Sequence, residues 1–324
     1  MNQHSGTLTG RAKDSFVCAI DLGGTHLRAA LVDQKGKIYF RLKQNTPAAS
    51  DPNAIVDALV AAVKECQQQT SDRNVGAVSV VVPGTVNAEE GRIVKAPNVG
   101  ALNNFSLSEA LSSRLDLPAL LENDANAAAV GEMWMGAGKG NRTLVCVTLG
   151  TGVGGGIILA GKLWRGVDGA AAEIGHMCVD PFGGVACTCG SRGCLEVYAS
   201  ATAIVRMTIE ARPRHAESSL TLDQLSAEVV YQAGKNGDKL GLEVFHRMGI
   251  YLGIGIANLI NILNPEMIVI GGGVANGWDL FEGDMRHQVA ERAFPLLAAR
   301  VKIVRAECGD DAGLLGAARL AFED

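Results

Sequence analysis

Short apolar runs punctuated by glycine turns recur along the chain. Phe16–Ile20 is such a run; it ends at Asp21-Leu-Gly-Gly-Thr25, and a second, Leu27–Val32, follows at once. Their lengths predict strand, turn, strand. Gly36 turns the chain into a third strand at Lys37–Leu42. Asp51-Pro52 then reads as an N-cap with proline in the first helical position, and Ile55, Val56, Leu59, Val60 and Val63 continue at helical spacing. Val75–Val82 and Leu117–Leu121 predict buried strands, and residues 123–135 a helix that opens on two polar capping residues.

Residues 142–156 repeat the opening pattern. Leu144–Leu149 is apolar, Gly150-Thr-Gly-Val-Gly-Gly-Gly156 predicts a long turn, and Ile157–Leu159 resumes as a strand. This repeat implies two similar domains, each starting with a hairpin whose turn can approach a ligand. Residues 200–263 read as mainly helical, Met267–Ile270 as a strand entering a third glycine turn at Gly271, Gly272 and Gly273, and Val301–Val304 as a strand. A terminal helix is expected over Asp311–Phe322, with Gly313 and Gly316 permitting close packing.

Composition narrows the classes. At 324 residues, 48% hydrophobic and 19% charged, the chain fits a globular protein of about two domains. Its 40 glycines are nearly twice the usual frequency of about 7%. A net charge of −5 without a Lys/Arg block argues against nucleic acid as a partner. Met1–Asp14 is polar and lacks the apolar h-region of a signal peptide. The most apolar stretch, Met248–Leu263, is shorter than the ~20 residues that span a bilayer and carries Asn258 and Asn261, so it reads as a buried helix and no membrane contact is expected. Scattered cysteines without a secretory signal imply reduced thiols in the cytoplasm.

The chemistry concentrates in two patterns. His176, Cys187, Cys189 and Cys194, in a C-x-C-x4-C spacing plus imidazole, supply the four soft ligands of a closed structural zinc site. A disulfide pair or a redox switch is the rival reading, and it would leave one thiol and the histidine idle. Glu173 and Glu196 flank the cluster, either as polar ligands of something held there or as surface ion pairs. The glycine turns form the second pattern, because glycine lets backbone N–H groups reach phosphate oxygens. Gly150, Gly152 and Gly155 match G-x-G-x-x-G, but a strand follows where a dinucleotide fold needs a helix, and no G-K-[ST] exists for a Walker A loop. Asp21, at the end of a buried strand beside such a turn, can hold Mg²⁺ or bond the turn's own N–H groups.

Together these residues resemble the ROK family (repressor, open reading frame, kinase) over about Phe16–Phe322. Asp21-Leu-Gly-Gly-Thr25 resembles its first phosphate motif, Gly150-Thr-Gly-Val-Gly-Gly its second, and Gly271–Gly273 its adenosine-side loop. Glu173-Ile-Gly-His176 followed by Cys187-Thr-Cys-Gly-Ser-Arg-Gly-Cys-Leu-Glu196 is similar to the family's zinc loop, with Thr188 where many members have glycine. Beyond Ala96-Pro-Asn98, this chain has Ala101-Leu102 where members similar to glucokinases often carry tryptophan.

The resemblance implies an α/β, two-domain actin/hexokinase-like ATPase fold with ribonuclease H-like repeats and an interdomain cleft. Residues 1–122 plus 305–324 would form the small N-terminal domain, and 123–304 the larger C-terminal domain with the zinc loop. Closure is expected about connections near Glu122 and Arg305. The implied activity is ATP-dependent phosphorylation of a hexose at the 6-hydroxyl, foremost glucose to glucose 6-phosphate. N-acetylhexosamine or fructose is the alternative acceptor. A sugar-responsive repressor is a more distant alternative, because about fifteen residues precede the first strand, too few for a three-helix DNA reader.

By the same resemblance Asp124, in Glu122-Asn-Asp-Ala-Asn126, is the catalytic base, although judged alone it would be an ordinary helix cap. The helix N-terminus is expected to keep it ionised. Asn98, Asn123, Asp124, Glu173, His176 and Glu196 would hold the sugar. Asp21, Gly23, Gly24, Thr25, Gly150, Thr151, Gly152, Gly271, Gly272 and Gly273 would hold ATP and Mg²⁺, while structural Zn²⁺ takes His176, Cys187, Cys189 and Cys194. Family members often form dimers or tetramers, so a homo-oligomer is expected.

Overall fold

A computed structural model describes residues 15–48, 50–70 and 74–323; Met1–Asp14, the polar stretch without an h-region, lie outside the described residues. The chain divides into two compact units. The first comprises Met1–Gly140, Lys162–Ala171 and Asp310–Asp324, the second Asn141–Gly161 and Ala172–Gly309.

In the first unit, β1 (Phe16–Leu22) and β2 (His26–Val32) form the expected hairpin, with Asp21 opposite Arg28 and Leu22 opposite Leu27. β3 (Ile38–Asn45) runs three residues past its expected end and alternates in exposure, as an edge strand with one wet face should. α1 (Pro52–Gln68) starts as its sequence requires, Asp51 accepting the N–H of Asn53 ahead of the helix. β4 (Val75–Val82) pairs in parallel with β1. The small hairpin β5 (Thr85–Asn87) and β6 (Arg92–Lys95) and the helix α2 (Leu107–Leu115) lead to β7 (Ala119–Asn123). The sheet order is β3-β2-β1-β4-β7. Val78, Val80 and Val82 of β4 enter a core with Ile55, Leu59 and Val63 of α1, which leaves Ser79 and Val81 on the opposite face. α3 (Asp124–Met135) follows β7 directly.

The second unit opens on β8 (Leu144–Leu149) and β9 (Val153–Leu159), antiparallel, with Leu149 opposite Val153. The turn is therefore only Gly150–Gly152, and Gly154–Gly156 lie inside the strand rather than in the long turn read from the sequence. The reason is a close approach. A Cβ on Gly155 would collide with the side chain of Ile174. Lys162–Ala171, beginning with the two-residue strand β10 (Lys162–Leu163), belongs to the first unit.

Helices α4 (Glu196–Ala199), α5 (Ala201–Ala211), α6 (Ala227–Lys235) and α7 (Lys239–Leu263) come next. They precede β11 (Met267–Gly271), α8 (Trp278–Arg292), the single turn α9 (Pro295–Ala298) and β12 (Lys302–Arg305). Within this unit the strands run β9-β8-β11-β12, with β8, β11 and β12 parallel. The apolar face of α7, through Phe245, Met248, Leu252 and Ile256, packs into one core, while Asn258 and Asn261 face outward. Among the described residues no helix is long and apolar enough to cross a membrane.

α10 (Ala312–Glu323) returns to the first unit and packs along α3. A Cβ on Gly316 would overlap the carbonyl of Ala127, and one on Gly131 the carbonyl of Ala312, so the two helices meet backbone to backbone. Gly313, expected to share that role, has only ordinary contacts. This packing corrects the expected division at residue 122. With its glycine face on α10, α3 stays in the first unit, which continues to Gly140 and resumes at Asp310 rather than 305.

Candidate functional site

Asp21, Gly23, Gly24, Thr25, Asn98, Asn123 and Asp124 all lie in the first unit. Asp21 ends β1, and its carboxylate is ion-paired with Arg28 across the hairpin. The turn is fastened by Thr46, whose hydroxyl donates to the Gly23 carbonyl at 2.7 Å and whose N–H donates to the Thr25 carbonyl at 2.9 Å. Gly24 lies against Asn98, so that a Cβ there would sit 2.8 Å from that of Asn98. Thus the first turn and the Ala96-Pro-Asn98 segment are neighbours, and Asn98 is exposed.

The start of α3 divides its work between two residues. Asn123 is the cap: its side-chain oxygen accepts the N–H of Asn126 at 3.0 Å, and its nitrogen donates to the Gly84 carbonyl at 2.9 Å. Asp124 is left as the first helical residue, with Oδ1 accepting the next N–H, that of Ala125, at 2.8 Å. Helix position alone would hold the Asp124 pKa down, and the surroundings oppose it. Burial, then the charge of Asp21, raise its pKa from 3.8 to about 6, and the backbone N–H groups offset only part of this. A carboxylate poised near 6 is well matched to accepting a proton at neutral pH.

Behind it, buried Glu122 accepts from the N–H of Asn123 at 2.9 Å, from Nδ2 of Asn126 at 3.0 Å and from Nε of Arg165 at 2.7 Å. Arg165, Thr46 and Arg28 were not singled out from the sequence, and Glu122 only as a hinge. Arg165 lies 43 residues from Glu122 and Thr46 is 23 from Gly23, distances at which no local pattern operates.

The remaining candidates, Gly150, Thr151, Gly152, Glu173, His176, Cys187, Cys189, Cys194, Glu196, Gly271, Gly272 and Gly273, lie in the second unit. Oε2 of Glu196 accepts the N–H of Val153 at 3.0 Å and fills the space where a Cβ on Gly152 would stand. Glu196 therefore braces the second glycine turn. Thr202 fastens it too, donating to the Thr151 carbonyl at 2.8 Å. Gly271 pairs with Thr148 in register, and Gly272 (φ +84°) lies against the Leu149 backbone, a conformation and an approach that only glycine accepts. The second and third glycine turns are thus side by side.

The ligand atoms of His176, Cys187, Cys189 and Cys194 all fall within 4.8 Å of one another. Cys187 Sγ is 3.7 Å from His176 Nδ1, and Cys189 Sγ is 3.7 Å from Cys194 Sγ. A tetrahedral zinc with bonds of about 2.0–2.3 Å has ligand–ligand edges of about 3.5–3.8 Å, which these two pairs match, and one imidazole with three thiols is a donor set that ion takes. His176 turns Nδ1 to the sulfurs and Nε2 toward Glu173, whose carboxylate is 3.8 Å away. Burial and the neighbouring thiols push Cys194 up to about 12, so a metal would have to displace a proton there. Tyr198 steadies the same loop: its hydroxyl donates to Asp180 at 2.7 Å and accepts from the Val185 N–H at 3.1 Å, and its ring stacks on Tyr251.

Each of the two α/β units carries a glycine turn at the end of its first strand, and the second also carries a metal-ligand loop. Comparison with known proteins gives the lineage. The ROK family profile matches residues 17–324, and the chain belongs to the ROK family. It is 40% identical to a glucokinase of Halalkalibacterium halodurans over 94% of each chain. It superposes with a TM-score of 0.80 on a ROK family glucokinase from Streptomyces griseus in complex with glucose and AMPPNP, at 35% identity over 96% of this chain and 100% of that one. A ROK family transcriptional regulator, a homolog of the E. coli MLC protein, superposes at 0.86 with 29% identity over 95% of this chain and 78% of its own. The fold is accordingly the two-domain actin/hexokinase-like one that the motifs implied.

Proposed function

We propose that this protein is an ATP-dependent hexose kinase that converts glucose to glucose 6-phosphate. The observation that carries the reading is Asp124: a carboxylate at the first position of α3, raised to about 6 beside Asp21, in a chain 40% identical to a glucokinase. As the sugar 6-oxygen bonds to the γ-phosphorus of ATP, the hydroxyl proton passes to Asp124, the bond to the bridging oxygen breaks, and ADP leaves. The glycine turns at Gly23–Thr25, Gly150–Gly152 and Gly271–Gly273 offer backbone donors to ATP. Mg²⁺, for which Asp21 is the carboxylate at hand, supplies neutralisation of phosphate charge when bound.

Asn98, Asn123, Glu173, His176 and Glu196 are assigned to the sugar. Zn²⁺ on His176, Cys187, Cys189 and Cys194 would stiffen the segment that carries Glu173 and Glu196. A cytoplasmic, glycolytic enzyme assembled as a dimer or tetramer completes the reading, with sedimentation velocity as the check on assembly. The deciding experiment measures ADP release from ATP across glucose, fructose, mannose and N-acetylhexosamines, with polyphosphate as a control donor. Glucose should give the highest kcat/KM; preference for an N-acetylhexosamine or fructose would move the assignment within the family. Absence of turnover with every sugar, alongside sugar-dependent binding to DNA, would replace the kinase with a regulator.

A further inference from the structure

The start of α3 is tied down through one buried carboxylate. Glu122, 3% exposed, accepts the backbone N–H of Asn123 at 2.9 Å and the side-chain Nδ2 of Asn126 at 3.0 Å. Those two residues flank Asp124, one just ahead of it and the other two positions on. Asn126 is buried as well, and its side-chain oxygen has no hydrogen-bond partner in the protein, so Glu122 is what orients that amide. A carboxylate this far from water is strongly disfavoured unless a cation stands beside it. Among the described residues its ion-pair partner is Arg165, with Nε donating to Oε2 at 2.7 Å.

The segment that carries Arg165 is itself fastened. Lys162–Ala171 belongs to the first unit, although the chain on either side of it belongs to the second. It folds back on itself, the Ala171 N–H donating to the Arg165 carbonyl at 3.1 Å and the Ala170 N–H to Asp168 Oδ1 at 3.2 Å. Gly169 (φ +86°) presses on β5, where a Cβ would stand 2.5 Å from the Val86 carbonyl oxygen. β5 follows directly on Gly84, whose carbonyl accepts Nδ2 of Asn123 at 2.9 Å. The helix start is thus gripped twice, by Gly84 on Asn123 and by Arg165 through Glu122. We propose that Arg165 is a positioning residue for Asp124: it compensates the Glu122 charge, Glu122 holds Asn123 and Asn126, and these set where the Asp124 carboxylate stands. The proposal rests on the kinase reading, with Asp124 as proton acceptor. An ion pair serving stability alone would lower the melting temperature when broken and leave turnover unchanged.

The test is a double-mutant cycle on kcat for glucose, run on the full-length protein well below the melting temperature of each variant. Arg165→Met, similar in length but without charge or donor, should lower kcat by about tenfold or more, since a misplacement of about 1 Å can cost 10²-fold. ATP KM should stay within about threefold of the parent, because the glycine turns are untouched. Arg165→Lys, which keeps the charge, should recover part of the loss. Glu122→Gln removes the charge that Arg165 answers, so adding Arg165→Met to it should change kcat by no more than about threefold. That comparison holds even if Arg165→Met alone does not fold, since the double variant buries no unpaired charge. The proposal is overturned if folded Arg165→Met keeps kcat within about twofold of the parent, or if it lowers kcat by the same factor with and without Glu122→Gln. A parent that phosphorylates no sugar would instead remove the kinase reading, and this proposal with it.

Discussion

At Gly23–Thr25 the turn is held by Thr46 from the end of the neighbouring strand region, and the charge beside it is concentrated: Asp21 paired with Arg28, and Asp124 raised to about 6 by burial and by Asp21. At Gly150–Gly152 the same strand–turn–strand plan is held from farther along the chain, by Glu196 and Thr202, and the chemistry alongside is a set of soft ligands. Hairpins of one plan have thus been specialised in opposite ways. On the proposed roles the first unit holds the proton acceptor, whereas the second holds the metal-ligand loop and a carboxylate brace. Loss of the proposed proton acceptor in the first should fall on kcat, and loss of the metal-ligand loop in the second on sugar KM.

The largest effect should come from Asp124→Ala. General-base groups contribute about 10²–10⁴-fold, so kcat for glucose should fall by that much with glucose KM within a few-fold of the parent and the metal content intact. Near-normal turnover in a folded variant would remove Asp124 from the mechanism and with it the division of labour between the units. Cys189→Ser probes the other side. Metal analysis should find about one zinc per parent chain and much less in the variant. Glucose KM should rise at least about tenfold because the loop carrying Glu173 and Glu196 loses its anchor, while ATP KM moves far less. Equal losses in both KM values would erase the contrast.

The acidic limb of the pH profile sharpens the same comparison. Asp124 must be ionised to accept a proton, so kcat/KM should fall about tenfold per unit below pH 6. Stability runs the other way. A pKa raised from 3.8 to about 6 favours the protonated fold, a contribution fully present below about 4 and lost as pH rises through 6. The ionised group therefore costs about 3 kcal/mol at pH 8. Asp124→Asn should accordingly melt higher than the parent at pH 8 and close to it at pH 4, while losing turnover. A variant that melts lower than the parent at pH 8 would refute the burial of that charge.

How much of this was readable beforehand depends on how far each interaction reaches along the chain. The hairpin at Asp21, the Asp51-Pro52 helix start and the Cys/His spacing are local patterns; the first two stand in the structure as read, and the third brings its four ligand atoms within 4.8 Å of one another. The cap of α3 was ambiguous because Asn123 and Asp124 are both good capping residues; only the bond from Asn126 N–H to Asn123 separates them. Gly154–Gly156 read as turn because a glycine run in sequence does not reveal that Ile174 occupies the space beside it. The raised pKa of Asp124 was invisible for a related reason. Desolvation is a property of everything packed around a group, and helix position is the one term that sequence displays. Gly131 was missed, and so the unit boundary was misplaced, because α3's partner α10 lies nearly two hundred residues away.

The smallest expected effect sets the two turns directly against each other. Thr46 and Thr202 each donate one hydroxyl to a turn carbonyl, at 2.7 Å to Gly23 and 2.8 Å to Thr151. Thr46 is buried and Thr202 exposed, so water can replace the second bond but not the first. Valine at 46 keeps the shape and leaves the Gly23 carbonyl short of a partner, which should cost about 1 kcal/mol and lower the denaturant midpoint without changing the m-value. Valine at 202 should cost a few tenths of that. If both are kinase turns, each change should raise ATP KM by only a few-fold and leave glucose KM untouched, because neither threonine bears on the metal-ligand loop. A larger loss at Thr202 than at Thr46 would mean that the second turn, for all its support from Glu196, depends on the exposed bond. The contrast between a locally fastened turn and a braced one would then have to be reversed.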